Sequence, residues 1–279
     1  MIRKAAVAGG FYSRSRDLLL SELKRSFELG FGVLPEPGGD TRPAGAIVPH
    51  AGYTYSGSVA SYSYGRLRQI KKPEVAIIVG PNHTGYGSNV SVWPSGEWET
   101  PLGSLKVDEQ LAGKLLSDFS ESDLLSHRFE HSIEVQLPFI QYVWGPTVRI
   151  VPVCVLDQDL PTMKKLGAAI AGICTGHNVV LLASSDFSHY ESHDVVSSID
   201  AVVLEAILRM DVNEMYEAAD KQGVSACGLG PIASVITAMS TVGQSKAELL
   251  RYATSGDATG DFTSVVGYAS VVFELNRTD

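Results

Sequence analysis

The 279-residue chain has only three cysteines, Cys154, Cys174 and Cys227, an odd number with no CxxC pair. That usage excludes a disulfide framework and fits a reducing cytoplasm. Long apolar runs are missing too. The longest, residues 148–156 and 179–183, fall well short of the roughly 20 residues that a membrane-spanning helix needs. The start, MIRKAAVAGGFY, lacks a signal-peptide core, so neither export nor a membrane partner is expected. Positive charge is scarce: the formal net charge is -9 and the pI about 5.3, the wrong sign for a protein that neutralises nucleic-acid phosphates. Missing as well are a GxSxG elbow, a P-loop lysine motif and HExxH, which leaves the commonest hydrolase and nucleotide-binding routes without a motif.

What is present is ordinary globular composition, 44% hydrophobic and 19% charged, long enough for one large domain over residues 1–279. The Pro- and Gly-rich stretch at 32–45 reads as a surface loop rather than a boundary. Leu19, Leu23 and Phe27 at four-residue steps behind Ser15 predict an amphipathic helix. Strand-like runs follow at 45–49, 75–79, 90–93, 148–155, 179–183 and 264–274. Helical stretches at about 56–68, 107–117, 132–143, 160–173, 194–209 and 229–241 mostly separate them. Uniformly apolar runs such as VAIIV suit strands covered on both faces. The fold class expected is α/β, a largely parallel or mixed central sheet with helices on both faces, with SVVGYASVVFEL adding an antiparallel strand.

Three of these strands deliver a histidine just past their carboxyl ends: AIVPHAGYTYSG gives His50, GPNHTGYG gives His83 and LLASSDFSHY gives His189. In open α/β sheets the crevice outside those ends gathers the chemistry. Either His50 or His83 alone is equally well explained as a turn cap. Their matching placement argues for a metal site short of one ligand. Asp186 and His189 stand three apart, as a carboxylate that orients a catalytic imidazole or as an Asx turn beside a solvated histidine. In EHSIEVQLPF, His131 and Glu134 have the spacing of one helical turn, either support for the ligands or a helix start. Polar surroundings predict His127, His177 and His193 at the surface. Cys154 and Cys174 read as core residues, whereas Cys227, in VSACGLGP, lies in a loop that could present a thiol.

These pieces, together with AVAGGFY, TPLG at 100–103, CGLGPI and LLRYATSGD, occur in an order that resembles the Memo family, nearly end to end. The family is similar in fold to the class III extradiol dioxygenases, non-haem iron enzymes that open catechol rings. The resemblance implies that His50 and His83 bind metal and that His189 serves as acid and base. It also implies Cys227 as third ligand, where the dioxygenases have a carboxylate. A thiolate favours softer ions, so iron or copper is expected ahead of zinc, with a redox role or metal-dependent oxidoreductase activity to match. A low-pKa thiol beside imidazoles would add redox chemistry of its own. Animal members carry tryptophan where Phe11 stands and bind phosphotyrosine peptides near it, which implies Phe11 as a ligand contact and a peptide- or protein-binding module as the alternative function. The partners implied are a small-molecule or peptide ligand and a radical-SAM pathway protein.

Overall fold

The computed structural model describes residues 1–119 and 122–276. In chain order its first half comprises β1 (Ile2–Arg3), α1 (Arg16–Leu29), β2 (Ala44–Val48), α2 (Tyr53–Ile70), β3 (Val75–Pro81), β4 (Val90–Val92), β5 (Glu97–Thr100), β6 (Gly103–Lys106), α3 (Glu109–Phe119), α4 (Leu125–Arg128) and α5 (Gln136–Trp144). The second half comprises β7 (Arg149–Val155), α6 (Leu160–Cys174), β8 (Val179–Ser184), β9 (His189–Glu191), α7 (His193–Leu208), α8 (Val212–Gln222), α9 (Leu229–Val242), β10 (Ser245–Thr254), α10 (Ser255–Thr259) and β11 (Val265–Leu275).

A central mixed sheet runs β10-β11-β2-β8-β3-β7-β4, with β9 paired to β11, while β1, β5 and β6 form a small separate sheet. The four middle strands β2, β8, β3 and β7 are parallel. SVVGYASVVFEL is indeed antiparallel, pairing as β11 with both β2 and β10. Every residue of β2, β3 and β8 is buried. A strand can hide both faces only if each is covered, and here α2 packs along β2 and β11 while α9 packs along β2, β3 and β8. Each fully buried Val, Ile or Leu in these strands contributes about 1.5–3 kcal/mol of transfer free energy. Cys154 and Cys174 lie in this core.

Because β2, β8 and β3 are adjacent and parallel, the segments that leave their carboxyl ends emerge side by side. His50, Asp186 and His83 follow these three strands.

Candidate metal centre

One imidazole nitrogen from each of His50, His83 and His131 lies within 4.8 Å of the others. His50 is buried, His131 partly buried and His83 exposed, so the group leads from the protein interior to solvent. The third member departs from expectation: His131 stands among the candidate ligands rather than behind them.

Backbone turns explain this change. The helix expected from 132 starts only at Gln136, and residues 132–135 form turns. His131 and Glu134 therefore do not share a helix face. Glu134 instead faces the amino-terminal segment, accepting hydrogen bonds from Arg3 Nη1 at 2.5 Å, Tyr12 Oη at 2.6 Å and the amides of Ala6 and Val7. That segment carries Phe11, whose ring lies 4.5 Å from that of His131. Gly80 lets the turn come this close to β3, since a Cβ there would sit 2.6 Å from Ser132 Oγ.

Each Nδ1 lies near an oxygen. His50 Nδ1 meets Ser184 Oγ at 2.9 Å, and His83 Nδ1 meets Glu130 Oε1 at 2.9 Å. His131 Nδ1 lies 3.3 Å from the same carboxylate oxygen. Glu130 also accepts the amides of His83, His131 and Ser132. Burial opposes the charged form of Glu130, but the hydrogen bond and charge of His83, with His131 and the Ser132 amide, hold its carboxyl down at about 2. A carboxylate on Nδ1 fixes ring orientation and leaves Nε2 to a metal. Neither Glu130 nor Ser184 was among the sequence candidates; the glutamate directly before His131 was the available signal.

Two of the imidazoles, His50 and His131, are kept neutral. Burial, then the neighbouring histidines, push His50 well below its ordinary value. Burial lowers His131 to about 4 despite the opposing Glu130 charge. Neutral imidazole is the ligating form.

Cys227, in the loop before α9, places Sγ 3.1 Å from His50 Nε2. Gly228 permits that approach, because a Cβ there would lie 2.5 Å from Ser184 O at the end of β8. The thiol is not the low-pKa group expected. Burial, reinforced by the Asp186 charge, pushes it up, so in the metal-free protein it stays protonated.

Asp186 and His189 form no hydrogen bond with each other among the described residues. Asp186 Oδ1 accepts the His50 amide at 2.8 Å, and burial raises its carboxyl to about 7. His189 is oriented by Ser225 instead, its Nδ1 lying 3.1 Å from that carbonyl. Both residues line one open cavity of about 530 Å³ above His50, His83 and His131. Phe11 lines it too, with Tyr55 and Tyr268.

The remaining histidines divide. His127 is fully buried, contrary to expectation, with Nε2 at 3.1 Å from Ser91 Oγ and Trp93 and Trp98 edge-on to its ring. His193 is partly buried against Thr254 and Phe262. His177 is likewise only partly exposed.

The donor set fits a transition-metal ion: converging imidazoles, an adjacent sulfur, and no Lys or Arg among the residues lining the cavity. No helix among the described residues is long and apolar enough to cross a membrane.

A family model described as Memo-like protein matches residues 3–272. A MEMO1 family protein of Methanopyrus kandleri is 45% identical, covering 98% of this chain and 99% of its own length. One from Methanosarcina barkeri is 43% identical, covering 98% of this chain and all of its own. Among solved structures, an uncharacterized protein of Escherichia coli K12 is similar with a TM-score of 0.55 at 14% identity, over 83% of this chain and 99% of that one. The last likeness is one of fold.

Proposed function

The chain belongs to the Memo family, and from the geometry of its site we propose that it is a redox protein or oxidoreductase that works with iron or copper. The observation that carries this reading is the convergence of His50, His83 and His131, each with an oxygen within 3.3 Å of its Nδ1. These three side chains would hold the ion, and the Cys227 sulfur beside His50 would complete the set on the buried side. A thiol next to a bound cation gives up its proton, which reverses the upward push that burial exerts on Cys227. Mixed imidazole and thiolate ligation suits copper, iron and zinc. The bound ion would supply one-electron chemistry or activate a small molecule.

Two groups that line the cavity would move protons there. His189, held below its ordinary value by burial, is neutral and free to accept one. Asp186, raised to about 7, exchanges a proton near neutrality. Pocket walls from Phe11, Tyr55 and Tyr268 exclude water from the apolar part of a ligand.

The test is elemental analysis of protein purified without added metal or chelator, followed by reconstitution with iron, copper or zinc. The expected result is about one iron or copper per chain, lost in His83→Ala and His131→Ala. Cys227→Ser should keep the ion with weakened affinity and an altered visible spectrum. Loss of metal in Cys227→Ser with retention in His131→Ala would overturn the histidine set in favour of His50, His83 and Cys227. Uptake of zinc alone, or of no metal, would overturn the redox reading.

A further inference from the structure

Two residues other than glycine have positive φ among the described residues, Met210 at 57° and Tyr190 at 66°. Met210 has an ordinary reason: it follows the end of α7, and the amides of Met210 and Asp211 close the helix on Ile207 O and Ala206 O. Tyr190 terminates no helix. It sits between His189 and Glu191, which pair with Val266 and Val265, so Tyr190 is the extra residue of a β-bulge between β9 and β11. A bulge position with this backbone normally takes glycine, and a bulky aromatic there is strained.

Among the described residues, no hydrogen bond of the side chain offsets that strain. The side chain is 79% exposed, and among the described residues its hydroxyl makes no hydrogen bond. The bulge turns the ring to the mouth of the metal-site cavity, which Tyr190 lines together with Val266 and Phe11, its centroid 5.6 Å from that of His189. Strain of this kind persists where function uses it.

We propose that Tyr190 is a ligand-contact residue, held in a strained bulge so that its ring takes the flat, uncharged part of a ligand whose other end faces the three histidines. This rests on the reading of the cavity as a metal site. The uncharged character follows from the lining, which contains no Lys or Arg at the mouth to pair with an anion.

The test uses cobalt(II)-loaded full-length protein, its visible spectrum titrated with azide, imidazole and 4-phenylimidazole. Azide is too short to reach the rim and reads the metal alone. The ratio of imidazole to 4-phenylimidazole dissociation constants reads the aromatic contact. Tyr190→Asn should cut this ratio about tenfold, leave azide binding unchanged, and raise Tm by about 3 °C because asparagine tolerates positive φ. Tyr190→Phe should preserve both the ratio and Tm. An unchanged ratio in Tyr190→Asn, or a Tm no higher than wild type, overturns the proposal. If wild type takes up no cobalt, the metal reading falls by itself. The ratio is then measured on metal-free protein by ligand-observed NMR, where an unchanged value in Tyr190→Asn again overturns the assignment of Tyr190.

Discussion

Two groups of polar side chains lie on either side of residues 127–134, and they are built to opposite ends. On one side Arg3 is enclosed by Glu134, the carbonyls of His127 and Glu130, and the Trp98 ring 4.1 Å from its guanidinium. The charges of Arg3 and Glu134 are paired with each other. On the other side His50, His83 and His131 each bring one ring nitrogen within 4.8 Å of the others beside an open cavity. Both groups contain a buried histidine, so burial does not separate structure from function. What separates them is the surroundings of the ring: Trp93 and Trp98 pack edge-on to His127, whereas His50 lines an open cavity.

The contrast can be broken first at Arg3. Arg3→Met leaves the Glu134 carboxylate buried without its cation, and the expected loss is about 3–5 kcal/mol in urea unfolding. An unchanged midpoint would show that the amides and Tyr12 alone satisfy Glu134.

His127 sharpens it next, through pH. Burial, then the Arg3 charge, lowers His127 to about 3, whereas the unfolded chain takes a proton near 6.5. The unfolded state therefore binds more protons between these values. The contribution is fully present above about pH 6.5 and is lost as pH falls toward 3. His127→Phe should remove about 3 kcal/mol of the stability lost between pH 7 and pH 4. Unfolding curves at the two pH values check this, and equal acid losses in variant and wild type would refute it.

Glu130 bridges the two sides, and Glu130→Gln should act on both. Its buried amide would confront the donor groups of His83, His131 and Ser132, at a cost of about 2 kcal/mol. Metal affinity should fall about 10–100-fold by competition titration. The smallest effect on folding belongs to His83→Ala, less than about 1 kcal/mol at an exposed position, with metal binding abolished. A large loss of stability there without loss of metal would place His83 in the structural group instead.

Legibility in the sequence followed the same division. VAIIV and VVLLA could be read as buried strands because continuous apolar runs have few other uses in an α/β chain, and the histidines behind β2 and β3 followed from the connection rule for such sheets. β10 could not be read in this way. Its segment SKAELLRYAT mixes charged and helix-favouring residues with four of its ten positions exposed, and only pairing with β11 at the sheet edge makes it a strand. His127 sits among polar neighbours in sequence, yet Trp93 and Trp98 arrive from over 25 positions away to enclose it.

The sequence by itself determined the layer architecture, the parallel middle of the sheet and the place of His50 and His83 at strand ends, since hydrophobic period and turn residues act locally. Tertiary structure alone decided the use of the remaining polar groups. His131 joins the site because Glu134 is claimed by the amino-terminal segment and Gly80 lets the turn settle on β3. Asp186 serves the His50 amide, and Ser225 takes the place expected for it at His189. A buried carboxylate or imidazole goes to whichever donor the folded chain brings within about 3 Å, and that partner is commonly more than 30 residues distant in the chain.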